Sequence, residues 1–302
     1  MQPEELQTRL SGMMSFPVTP FDSDGEVDVP RLASHVEYQL GTTAAALFVA
    51  CGTGEMFSLA PDEFRVVVEE SAKLVDGRKP VVAGVGYGVA IAVLMAREAE
   101  RAGADGLLVL PPYLVKGGQE GLYRYYEQIA SSTRLGLIIY QRDQVRLEPE
   151  TLERLAEIPN VVAFKDGLGD VDLITRLRVT CGDQLQFMNG LPTAELSVHA
   201  YRAAGVSSYS SAVLNFVPEI ATAFYDGVER GDTESTDELL REFFTPFINL
   251  RDQVPGYAVA LVKAGVGMLH GPVGDPRPPL VGPPTEHLQD LQAIIDRGRA
   301  CL

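Results

Sequence analysis

Eight short apolar runs recur along the chain, and a segment with helical periodicity follows each of them. The runs are MMSFPVTP, AALFVAC, PVVAGV, GLLVLPP, LGLIIY, VVAFKD, LQFMNG and VSSYSS. Strands that are apolar along their whole length are typical of parallel sheets buried on both faces by helices. Eight such units predict an α/β fold, the closed (β/α)8 TIM barrel. An open, doubly wound sheet is the structural alternative.

The predicted barrel covers residues 1–231. From Asp232 onward the chain carries two further helical patterns, DELLREFFTPFINL and EHLQDLQAIID, with the proline-rich stretch PVGDPRPPLVGPP between them. We find no linker long enough to separate a second domain. Residues 232–302 are therefore expected to form a C-terminal helical extension packed on the barrel.

The composition excludes several classes of partner. The chain has 302 residues and a net charge of -16, which would repel nucleic acid and anionic membranes. No apolar run approaches the roughly 18 residues of a membrane span, and the polar start MQPEELQTRL is no signal peptide. We expect a cytoplasmic protein. An anionic substrate would need a locally positive pocket.

Neither the cysteines nor the histidines form a metal-binding pattern. Three cysteines, Cys51, Cys181 and Cys301, include no CxxC pair, and the four histidines lie far apart. We expect reduced thiols and no metal. The run Gly84 to Gly88 reads GVGYG, which lacks the GxGxxG spacing of a dinucleotide-binding loop, so no nucleotide cofactor is expected either.

Function in a (β/α)8 barrel gathers at the carboxyl ends of the strands. There VVAFKD places Lys165 at the end of an apolar run, and LGLIIY ends in Tyr140 on the preceding strand. A lysine in an apolar setting is shifted toward its neutral, nucleophilic form, which condenses with ketones to a Schiff base. A tyrosine beside it can transfer protons. A solvated lysine paired with Asp166 is the alternative.

A second candidate is the turn after the second strand. Gly52 and Thr53 open it, and backbone N–H groups in such a glycine-rich turn, together with a hydroxyl, can bind a carboxylate. Glu55 in the same turn would repel that carboxylate, so we expect Glu55 to brace the loop. An ordinary strand-to-helix connection is the alternative.

Taken in order, these motifs resemble the dihydrodipicolinate synthase / N-acetylneuraminate lyase family. The resemblance rests on PVTPF at Pro17, the turn GTGE at Gly52, PPY at Pro111, the strand ending in Tyr140, and FKD around Lys165. It implies a homotetrameric barrel without metal or organic cofactor. It also implies that a 2-oxo acid forms an imine on Lys165, that Tyr140 transfers protons, and that the Gly52 turn binds the carboxylate.

Three further segments resemble one branch of that family, the 5-dehydro-4-deoxyglucarate dehydratases. They are FKDGLGD, GLPTAE and YSSAVLNFVP. This resemblance implies a sugar-acid substrate with a carboxylate at each end. Arg142 is the expected anchor for the second carboxylate, with Arg146 as its rival, since a guanidinium fork matches a carboxylate. Substrate hydroxyls are expected to contact three side chains at strand ends, Asn189, Ser210 and Ser211.

The expected activity is therefore a decarboxylating dehydration through a lysine Schiff base. An aldolase or lyase that splits another 2-keto-3-deoxy sugar acid would use the same Lys165 and Tyr140 but would release pyruvate. A ligand-binding barrel without turnover would form no covalent adduct. A metal-dependent barrel enzyme would be sensitive to chelators.

Overall fold

The computed structural model describes residues 1–302, and its eight strands close into one parallel barrel in chain order. Each strand pairs with the next, and the eighth pairs with the first. The closed barrel confirms the predicted fold and excludes the open sheet. The strands are β1 (Met13–Ser15), β2 (Ala46–Val49), β3 (Val81–Val85), β4 (Gly106–Val109), β5 (Gly136–Gln141), β6 (Val161–Asp166), β7 (Gln186–Asn189) and β8 (Ser208–Ser211).

A helix follows every strand, as the alternating pattern predicts. A further short helix, α1 (Pro3–Arg9), comes before the first strand. The helices after the strands are α2 (Val29–Leu40), α3 (Pro61–Val75), α4 (Val89–Arg101), α5 (Gln119–Ala130), α6 (Pro149–Ala156), α7 (Val171–Cys181), α8 (Val198–Ala203) and α9 (Pro218–Arg230). None of the helices in the chain is both long and apolar enough to cross a membrane.

The barrel interior and the layer between strands and helices are separate apolar clusters. Successive side chains of a strand point to opposite faces, so alternate residues enter each cluster. Met14, Ile138, Tyr140 and Met188 belong to the smaller, interior cluster. A cluster of 72 buried residues fills the space between the strands and the helices. The face on which a strand-end residue lies therefore decides whether it can reach the mouth of the barrel.

Four helices follow the barrel: α10 (Thr233–Leu239), α11 (Thr245–Arg251), α12 (Tyr257–His270) and α13 (Thr285–Ala300). The Asp232 carboxylate caps the first of them by accepting a hydrogen bond from the Ser235 backbone N–H. The pattern DELLREFFTPFINL predicts one helix, but a π-helical turn at Leu240–Phe244 separates α10 from α11. The helices extend the barrel as predicted, while a division of the chain at residue 232 stays a prediction.

Candidate active site

Lys165 ends β6 and enters the mouth of the barrel. Only 3% of its surface is exposed. Its Nζ lies 3.8 Å from the centroid of the Tyr140 ring and 4.9 Å from that of Phe16. Tyr140 is the residue in register with Lys165 on β5, so the two side chains enter the barrel together. The structure thus brings the two predicted catalytic residues into contact.

Burial lowers the pKa of the Lys165 ammonium, because desolvation disfavours the charged form. The neighbouring Tyr140 hydroxyl partly offsets this effect, and the Arg142 guanidinium adds to the lowering. The amine is therefore deprotonated more readily than that of an exposed lysine. That is the state in which lysine acts as a nucleophile.

Gly190, the residue after β7, shapes the space around the lysine. The Tyr140 hydroxyl donates a hydrogen bond of 2.9 Å to its carbonyl oxygen, and Lys165 Nζ lies 3.4 Å from the same oxygen. A Cβ on residue 190 would stand 2.6 Å from Lys165 Cγ and 2.8 Å from Nζ. Only glycine leaves room for the Lys165 amine at this position. Gly190 therefore belongs to the site because no residue with a Cβ fits so close to the lysine.

Asp166 does not pair with Lys165, because the next residue of a strand faces the opposite side. Its carboxylate accepts hydrogen bonds from the Gln141 side chain, at 2.9 Å, and from the Tyr201 hydroxyl. It also accepts from the backbone N–H groups of Leu168 and Gly169. Asp166 therefore braces the loop after β6, and the alternative of a solvated Lys165–Asp166 pair is wrong.

The turn after β2 presents unused donors to the cavity. Gly52 and Thr53 line the cavity, and their backbone N–H groups donate to no other backbone group. The Thr19 hydroxyl holds the far side of the turn through a 2.7 Å hydrogen bond to the Gly54 carbonyl oxygen. The geometry suits the binding of a carboxylate by two N–H groups in a fixed turn.

Glu55 is buried behind this turn, as its expected role as a brace requires. Its Oε1 lies 2.8 Å from Nζ of Lys263 on α12, and both side chains are almost completely inaccessible. Its Oε2 accepts a hydrogen bond of 2.9 Å from the Arg277 backbone N–H. The C-terminal extension therefore fixes the turn from outside the barrel. Sequence reasoning missed Lys263, which lies 208 residues from its partner.

A cavity of about 530 Å³ connects these groups. Its charged lining residues are Lys165, Arg142, Arg251 and Asp143. Arg251 ends α11, and its guanidinium donates a hydrogen bond of 2.7 Å to the Thr193 hydroxyl. Sequence reasoning did not single out this arginine. The cavity is locally cationic in an acidic chain, which is the condition predicted for an anionic substrate.

Two of the predicted substrate ligands lie outside the cavity. Asn189 pairs in register with Asp166 and shares its outward direction, and its amide donates to Ser197 Oγ at 2.8 Å. Ser211 is fully buried and donates to the Glu195 carboxylate. These contacts brace the loop after β7, so the prediction that Asn189 and Ser211 bind substrate hydroxyls is not supported by their position. Ser210 faces inward and lines the cavity.

The structure also distinguishes between the two arginines considered for the second carboxylate. Arg142 lines the cavity, and its Nε donates to Asp143 Oδ2 at 2.8 Å. Arg146 lies outside it, half exposed, with its guanidinium 2.6 Å from the Asp170 carboxylate. Arg146 is therefore removed as a candidate ligand.

The fold and the site together define an enzyme of the (β/α)8 class with a buried lysine at the mouth of the barrel. The model of the dihydrodipicolinate synthetase family matches residues 9–297. The chain belongs to this family, whose members are lyases.

Named relatives agree with this assignment. A probable 5-dehydro-4-deoxyglucarate dehydratase of Streptomyces avermitilis is 48% identical over 97% of this chain and 95% of its own. One from Rhizobium rhizogenes is 47% identical over 99% of this chain and 100% of its own. Among solved structures, dihydrodipicolinate synthase from Oceanobacillus iheyensis superposes with a TM-score of 0.90 at 25% identity. That match covers 99% of this chain and 100% of the synthase.

Proposed function

We propose that the protein dehydrates and decarboxylates 5-dehydro-4-deoxy-D-glucarate to 2,5-dioxopentanoate through a Schiff base on Lys165. The observation that carries the proposal is the burial of the Lys165 amine against Tyr140, beside a turn with unused N–H donors. The near-50% identity to proteins named for this reaction supports the choice of substrate.

The substrate is a dianion, and the cavity offers a site for each end. The carboxylate next to the ketone is received by the N–H groups of Gly52 and Thr53. Either of the two guanidinium groups on the wall, Arg142 or Arg251, can receive the distal carboxylate. Ser210 is placed to contact a hydroxyl.

The iminium formed on Lys165 is the single electron sink that the proposed reaction needs. Lys165 adds to the C5 ketone, and loss of water gives an iminium. The iminium acidifies C4, and removal of a C4 proton gives an enamine, which expels the C3 hydroxyl as water. The conjugated iminium then accepts the electron pair of the C1–C2 bond as CO2 leaves. Protonation, tautomerisation and hydrolysis release 2,5-dioxopentanoate and restore the Lys165 amine.

Tyr140 is proposed to transfer the protons of imine formation. Its hydroxyl is oriented by the Gly190 carbonyl oxygen, and its ring contacts the amine. Replacing Tyr140 by Phe keeps the ring and removes the hydroxyl. We expect kcat to fall by about 10²- to 10⁴-fold, the usual contribution of a general acid–base group. Steady-state kinetics with Tyr126→Phe, a buried tyrosine outside the cavity, is the matched control.

The test of the proposed function is direct. The purified protein is incubated with 5-dehydro-4-deoxy-D-glucarate while CO2 and 2,5-dioxopentanoate are followed. Stoichiometric formation of both supports the dehydratase. Release of pyruvate instead would identify an aldolase on the same lysine, and absence of any product would reject the substrate.

The family resemblance also supports a homotetramer in the cytoplasm as part of this proposal. The loop between β4 and α5 exposes three consecutive apolar side chains, Tyr113, Leu114 and Val115, of which the first two line the cavity. Sedimentation analysis tests the oligomeric state.

A further inference from the structure

Two guanidinium groups line the cavity, but their counterions are placed differently. Arg142 pairs with Asp143, and that carboxylate itself lines the cavity. Arg251 pairs with Asp252 at 2.7 Å, and Asp252 is not part of the cavity wall; its side chain is 61% exposed. An anion entering the cavity therefore meets the Arg142 charge together with an opposing carboxylate. The carboxylate paired with Arg251 belongs instead to a residue outside the cavity wall.

The two groups also make different contacts near the reacting centre. The Arg142 guanidinium lies 5.6 Å from the centroid of the Tyr140 ring, and the face of that ring carries the Lys165 amine. The wall contact of Arg251 is with the Thr193 hydroxyl, and Arg251 is in hydrogen-bond contact with neither Tyr140 nor Lys165. Arg142 thus stands beside the imine-forming end of a ligand, whereas the contacts of Arg251 are with Thr193 and Asp252.

Arg251 is held rigidly. Its side chain is only 14% exposed, and its Nη1 and Nε are engaged by Thr193 and Asp252. Thr193 is itself fixed in the left-handed region, with φ of 54°, in the loop after β7. No hydrogen bond within the chain uses Nη2 of Arg251. A preorganised guanidinium loses little side-chain entropy when it binds an anion.

We infer that Arg251, supplied by the C-terminal extension and oriented by Thr193, binds the distal carboxylate and determines the specificity for dicarboxylic 2-oxo acids. Arg142 acts instead at the imine-forming end, where its charge favours the neutral amine. This inference rests on the proposed function for the class of substrate. Arg251, a residue of the extension, thus takes the role of carboxylate anchor that the sequence predicted for Arg142.

The experiment compares affinities for three 2-oxo acids by calorimetry, which detects binding whether or not an imine forms. 2-Oxoadipate has a carboxylate at each end of a six-carbon chain, 2-oxohexanoate has the same length with one carboxylate, and pyruvate has no distal group. The wild type is expected to prefer 2-oxoadipate to 2-oxohexanoate. The Arg251→Met variant should lose about 10- to 100-fold of that preference, the range for a charge-assisted hydrogen-bonded pair.

The controls separate specificity from folding. Arg251→Lys keeps the charge but not the fork, so it should retain part of the preference. Arg142→Met and Arg146→Met should both keep it. The inference is overturned if Arg142→Met loses the preference while Arg251→Met keeps it, or if the wild type shows none. Equal weakening of all three acids in Arg251→Met would show a merely structural role. Turnover of the sugar acid by the wild type tests the proposed function separately.

Discussion

Replacing Lys165 by Met is expected to abolish turnover and leave the protein folded. Kinetics should show a loss of about four orders of magnitude or more in kcat, since no other group can form the imine. Methionine has nearly the same length and suits the apolar contacts with Tyr140 and Phe16. Removing a buried amine also removes its desolvation cost. The variant should therefore be at least as stable as the wild type in urea.

The pH dependence of that stability difference has a definite sign. The pKa of Lys165 is lowered by burial, so the unfolded chain binds the proton more tightly than the folded one. Burial of the Lys165 amine lowers the stability of the wild type by its full amount below the folded-state pKa. This destabilisation disappears as the pH approaches 10.5, the ordinary pKa of lysine. The wild type should therefore gain stability relative to Lys165→Met as the pH rises.

Lys116→Ala is the matched control, because Lys116 is an exposed lysine of the loop between β4 and α5. It should leave kcat within about twofold of wild type, as expected for an exposed side chain that does not line the cavity. Residual turnover in Lys165→Met above a hundredth of the wild-type rate would contradict the assigned role of the amine.

Replacing Lys263 by Met is expected to lower the free energy of unfolding more than any other single substitution considered for this protein. Its Nζ forms a completely buried ion pair with Glu55, and removing one partner leaves an uncompensated carboxylate behind the Gly52 turn. Losses of about 3–5 kcal/mol are typical of such a change. Urea unfolding followed by circular dichroism measures it. Because the turn is held by this pair, the affinity for 2-oxo acids should fall as well.

The double variant Glu55→Gln, Lys263→Met provides the control. Glutamine is neutral and can still accept the hydrogen bond from the Arg277 backbone N–H. The double variant should therefore recover part of the stability that Lys263→Met loses. Arg65→Met breaks an exposed pair with Glu69 and should cost at most about 1 kcal/mol. Equal losses in Lys263→Met and Arg65→Met would show that the buried pair does not hold the turn.

The strands were predictable from sequence because each is a continuous apolar run with a turn at its end. VVAFKD became β6 with the predicted bounds, Val161 to Asp166. The contact of Lys165 with Tyr140 followed from the adjacency of strands in a barrel. Local patterns sufficed here because pairing between consecutive strands is the default of the fold.

The alternation of side chains along a strand is the sequence signal that excludes Asn189 and Ser211 as ligands of substrate hydroxyls. If Lys165 enters the barrel, Asp166 faces away, and Asn189 faces away with it because the two are in register. The same rule directs Ser211 outward when Ser210 faces the cavity. Polarity at a strand end is therefore not enough to predict a substrate contact, because the alternation along the strand decides which side chains enter the cavity.

The contributions of the extension could not be read from the sequence. Arg251 is the last residue of α11 and looks like any basic residue at a helix C-terminus, and Lys263 lies in the apolar helix α12. Their partners, Thr193 and Glu55, are 58 and 208 residues away. No local period links such positions, so only the tertiary structure shows that the extension completes the cavity.

The central claim is that the Lys165 amine binds the substrate covalently. The most direct measurement is reduction with borohydride in the presence of 5-dehydro-4-deoxy-D-glucarate, followed by mass spectrometry of the peptides. The account predicts a substrate-derived mass increase on the peptide that contains Lys165 and none on the peptide that contains Lys263, the other buried lysine. Absence of an adduct, or an adduct on another lysine, would contradict it.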